Sequence, residues 1–89
     1  MTDLLTVLEA QAWREYAAVA DPAGVARDEA FMQAWERAGS DEELERMTAA
    51  SQGVYAAVER PAFARYCAAI GRALDPWERE SVRLAGGVA

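Results

Sequence analysis

Histidine is absent from the 89-residue sequence and cysteine occurs once, at Cys67. Any catalysis would therefore rest on carboxylates, tyrosines and the one cysteine. Without histidine there is no usual general base and no Ser-His or Cys-His nucleophile pair. The Glu-x-x-His pairs of a ferritin-like di-iron bundle are missing for the same reason. Gly86-Gly87 follows no strand and opens no helix, so it does not read as a phosphate-cradling loop. Cys67 falls on an apolar stripe between Phe63 and Ile70, with nothing beside it in sequence to activate a thiol, and reads as a small core residue. The expectation is a non-enzymatic chain with no catalytic, cofactor-binding or metal-ligating residue and no cofactor.

What remains is the chemistry of surfaces. Residues 1–45 hold 11 carboxylates against 3 arginines, whereas residues 46–89 hold 4 carboxylates against 6 arginines. Asp41, Glu42, Glu43 and Glu45 form an acidic cluster, and Arg65, Arg72, Arg79 and Arg83 recur at helical spacing. Trp13 lies at the margin of its helix's apolar stripe, where an aromatic suits an interface. Trp13, Asp41, Glu42, Glu45, Arg65 and Arg72 are thus the candidate interface residues. Two copies pairing antiparallel would bring the Asp41–Glu45 cluster to the Arg65/Arg72 face, so the expected partner is a protein, with a homodimer as the preferred form.

The elements that must position these residues read as helices. The apolar spacing of Leu4, Leu5, Leu8, Ala12, Tyr16 and Val19 predicts a first helix to Ala20, capped by Thr2 or Asp3. Asp21-Pro22-Ala23-Gly24 should break it, and Asp28 should cap a second helix with Phe31, Met32, Trp35 and Ala38 on one side, ending at Gly39. Ser40 and Glu43 form a capping box for a third helix carrying Leu44, Met47, Ser51, Val54, Tyr55 and Val58. Pro61 should end or kink it. A fourth helix would place Phe63, Tyr66, Cys67, Ile70 and Leu74 inward, with Arg65 and Arg72 opposite. Asp75-Pro76 should start a short fifth, with Trp77, Ser81 and Leu84 inward. No stretch alternates like a strand. The expected fold is all-α, a single domain over residues 1–89, built as a compact bundle or orthogonal array of four to five short amphipathic helices.

Composition narrows the classes further. Alanine supplies 21 of the apolar residues, which leaves a thin set of larger side chains for a core and favours self-association or a partner. The net charge of −6 argues against direct binding to nucleic acid or an anionic membrane. No apolar run approaches the roughly 20 residues of a membrane span, and Met-Thr-Asp lacks a signal peptide's basic start, so a cytoplasmic protein is expected. Nine arginines with no lysine point to a GC-rich bacterial or phage origin.

Tyr55, Arg60-Pro61-Ala62-Phe63, Tyr66, Leu74 and Trp77 resemble the closing helices of the thiopeptide-binding domain of drug-sensing MerR-type regulators. Those domains are all-α and bind apolar antibiotics. The likeness covers under a third of the chain and carries no site residue. Met47 to Arg60 also looks like a helix-turn-helix, but Gly53 falls inside its apolar stripe. The function expected is a small protein-interaction module: an accessory subunit, adaptor, assembly factor or inhibitor. Two alternatives are a small-molecule-binding domain with an aromatic-lined pocket and an acidic phage-type inhibitor that mimics nucleic acid.

Overall fold

The computed structural model describes residues 3–86 and is all-α, with no strand among them. There are three helices rather than four or five: α1 (Leu4–Arg37), α2 (Asp41–Ala69) and α3 (Pro76–Leu84). Neither internal proline ends a helix. Pro22 is exposed, and so is Ala18, whose carbonyl loses its donor to the proline ring. That carbonyl can bond water instead, so the break expected at residues 21–24 does not occur and Asp28 caps nothing; it pairs with Arg27. Pro61 is likewise inside α2, with the orphaned Ala57 carbonyl on the exposed side. Because α2 is continuous from residue 47 to residue 60, there is no helix-turn-helix.

The helix ends follow local chemistry closely. Asp3 caps α1 by accepting from the Leu5 N–H. Ser40 caps α2 through the Glu43 N–H, while the Glu43 carboxylate accepts from Gly39 rather than closing the box on Ser40. Asp75 and Glu78 form a complete reciprocal box at the start of α3. Gly71, at φ +71°, turns the chain after α2, in the left-handed region that suits glycine. The expected fourth helix therefore stops at Ala69, short of Leu74.

A three-residue connection folds α2 back antiparallel on α1, setting Tyr16 beside Glu59 and Gly24 beside Tyr55. α3 returns along α2 and does not pack on α1. The interior is narrow. Its buried apolar residues, among those described, are Ala12, Ala20 and Ala34 of α1, Ala62 and Cys67 of α2, and Val82 of α3. Alanine lets the two long helices approach but buries little. The molecule measures 57 × 28 × 15 Å, and its radius of gyration is 16.1 Å. A compact chain of this length would have about 12 Å, so the compact bundle expected from the pattern gives way to an elongated hairpin with a short flanking helix.

Candidate functional site

Among the described residues, the one charged group in the interior is Glu59, 4% exposed. It accepts from the Tyr16 hydroxyl of α1 at 2.7 Å and from Arg60 through both Nε and Nη2. Arg60 also reaches Ser81 of α3 at 3.5 Å and lies over the Phe63 ring. This chain of polar bonds joins all three helices. Burial alone would push the Glu59 carboxyl up. Hydrogen bonds from Arg60 and Tyr16, with the arginine's charge, outweigh that and hold it below its ordinary value. Burial and the neighbouring carboxylate raise the Tyr16 phenol above its ordinary value. Both Glu59 oxygens are already engaged, so the carboxylate is arranged to hold helices together.

Sequence reasoning missed Glu59 because it placed Val58 on that face. Val58 is exposed instead. The available signal was a Glu four residues after Tyr55 and three before Ala62, within the α1-facing stripe. A similar surprise concerns Cys67. It is buried, as expected of a core residue, but Arg72 donates to its Sγ at 3.2 Å while binding both Glu78 oxygens at 3.0 Å.

The predicted interface residues are not brought together within one chain. Asp41, Glu42 and Glu45 are exposed at the loop end of the hairpin. Arg65 is exposed near the far end of α2, about 30 Å away along the helix from Glu45. Arg72 lies beyond α2, already paired with Glu78, and does not share a helix face with Arg65. Antiparallel folding also interleaves the acidic and basic halves of the sequence. Residues 21–57, around the loop, hold 8 carboxylates and 3 arginines, while the remainder holds 7 and 6. The molecule thus has an acidic loop end and a nearly neutral open end.

Trp13 is half-exposed and packs its ring against Tyr16 at 5.4 Å and Tyr66 at 5.7 Å. Phe63 joins the same group through Tyr16. These rings pack mainly on one another. A cavity of about 210 Å³ beside them, lined by Tyr16, Tyr66, Ala62 and Arg65, is smaller than the usual range for a drug-sized ligand, about 300–1,000 Å³. A second of about 480 Å³ between α2 and α3 has the polar groups of Gln52, Glu59, Arg60 and Ser81 on its walls.

The larger feature is what stays outside. Trp35 is 74% exposed and Met32 65%, although both were expected inward; Ala34 occupies the interior in their place. The last helix keeps Ser81 inward, as expected, but Trp77 and Leu84 are not on the inward face with it. Glu78 is drawn inward by Arg72 and Ser81 by Arg60, and Val82 is buried beside them, leaving Trp77 84% and Leu84 71% exposed. At the start of α1, Leu4, Leu5 and Leu8 are also exposed. No helix among the described residues is long and apolar enough to cross a membrane. Comparison with family models, with curated proteins and with solved structures yields no match.

Proposed function

We propose that the chain is a small non-enzymatic protein-interaction module, an accessory subunit, adaptor, assembly factor or inhibitor that binds a protein partner through its helix surfaces. The observation that carries this reading is the outward placement of Trp35 and Trp77 on a hairpin 15 Å thick. Exposing large rings to water is costly relative to burying them, at roughly 1.5–3 kcal/mol for a large apolar side chain. Tryptophan is also among the residues that most often dominate binding energy at protein interfaces. Neither ring is held by the intramolecular aromatic cluster, so both are available without disturbing the hairpin.

The test compares the wild-type chain with a Trp35→Ser/Trp77→Ser variant of equal helical content. Immobilised wild type should retain a protein from an extract of its host in stoichiometric amount, and the variant should retain it at least about tenfold less. Equal retention by both would remove these rings from the interface. Stabilisation by hydrophobic small molecules with no retained protein would favour a ligand-binding domain. Capture of a basic nuclease or polymerase, unaffected by the two substitutions and lost steeply with salt, would favour nucleic-acid mimicry.

A further inference from the structure

The outer side of α1 carries an ordered stripe of its own. Asp21, Val25, Asp28, Met32 and Trp35 follow one another at alternating steps of four and three residues. That spacing keeps them on one face over about 21 Å of helix. All five are exposed, and α3 packs on α2 rather than on α1, so no described element covers them. Glu29 and Glu36, both exposed, border the stripe along one edge. The one arginine between Asp21 and Glu36 is Arg27, whose guanidinium lies 4.3 Å from the centre of the Tyr55 ring, on the α2 side. It reaches one Asp28 oxygen at 3.3 Å, and the Asp28 side chain is still 67% exposed. The face thus combines three large apolar side chains with four carboxylates and no outward arginine.

We infer that this face binds a basic amphipathic helix of a partner protein, with Val25, Met32 and Trp35 against its apolar side chains and Asp21 and Asp28 against two basic ones. Spacing and charge select this occupant together. Alternating steps of three and four match another helix and not an extended chain, whose side chains repeat every two residues. A helix laid on the stripe also takes Asp21 and Asp28 out of water. A carboxylate covered without a counter-charge is strongly destabilising, so an all-apolar helix is rejected. Arginine or lysine opposite each carboxylate satisfies it, and because Asp21 and Asp28 are seven residues apart, so are their partners. Glu29 and Glu36 at the rim attract the same helix. A second copy does not qualify. The same face would set four carboxylates against four, and the open half, with 7 carboxylates and 6 arginines, is nearly neutral. Nucleic acid and anionic membranes are repelled by the same charge.

This assignment rests on reading the chain as an interaction module and names the partner that its Trp35 face takes. The probe is a fluorescein-labelled helical peptide of about 18 residues, built from leucine, alanine and lysine, with two arginines seven residues apart in its leucine stripe. Its anisotropy, titrated with the full chain, should show half-saturation below about 100 μM. Binding should weaken at least about tenfold between about 50 and about 500 mM NaCl. Met32→Ser/Trp35→Ser and Asp21→Asn/Asp28→Asn should each weaken it at least about fivefold with helical content unchanged. Glu42→Gln/Glu45→Gln, an equal change of charge outside the stripe, should weaken it less than about twofold. A peptide with leucine in place of both arginines should bind at least about tenfold more weakly. No binding at about 500 μM, equal binding of the leucine peptide, or equal losses in the two carboxylate variants would overturn the basic-helix assignment. Retention of a host protein through Trp35 and Trp77 would leave the interaction reading standing in each of those cases.

Discussion

Glu59 makes stability depend on pH at both extremes. Its folded carboxyl titrates below the ordinary value of about 4.5, so its contribution is complete above that value and is lost as pH falls through the lower folded one. Tyr16 runs the other way. Its phenol is raised above 10.0, so its contribution is complete below that value and is lost as pH climbs toward the folded one. Melting temperatures should fall at both ends, and Glu59→Gln should reduce the acid-side loss. Tyr16→Phe should cost about 1–2 kcal/mol near neutral pH and remove the alkaline limb. An unchanged melt in Tyr16→Phe would mean that the hydroxyl does not hold the carboxylate. Residues whose partners lie three or four positions away, such as Ser40 and Asp75, were legible from sequence because a cap is a local arrangement. Glu59 was not, because its partner Tyr16 lies on another helix, and hydropathy prefers the neighbouring Val58 for an inward position.

The helices themselves were legible as periodic apolar stripes, but not their number. Proline reads as a terminator because it removes an N–H and clashes with the preceding turn. At Pro22 the affected carbonyl faces solvent, and nothing in an isolated stripe says which side will face water. Replacing Pro22 with Ala should stabilise the protein by about 1–3 kcal/mol in chemical denaturation, since an interior helical position favours alanine strongly. A helix start at that position would instead make the substitution neutral or harmful. Gly53 gives a companion test. A Cβ there meets nothing within 4 Å, so Gly53→Ala should add about 0.5–1 kcal/mol. A loss of stability would indicate a turn near residue 53, as a helix-turn-helix needs.

At the scale of the molecule, the all-α class followed from the sequence, whereas the elongated shape did not. A periodic stripe identifies a face that prefers burial, and only the arrangement of other elements decides whether it is covered. The stripe of α1 outruns α2, α3 turns its polar side inward to reach Arg60 and Arg72, and alanine fills most of the narrow interior. The larger apolar side chains are left for contact outside the chain, which is the basis for the interaction reading. A compact bundle of the same sequence would bury Trp35 and Trp77 instead. The most direct test is iodide quenching of tryptophan fluorescence in the dilute, isolated chain. The emission should be red-shifted, with two of the three rings quenched nearly as readily as free tryptophan and Trp13 partly protected by Tyr16 and Tyr66. Blue-shifted emission resistant to iodide for all three rings would contradict it, because the surface proposed to bind a partner would then lie inside the fold.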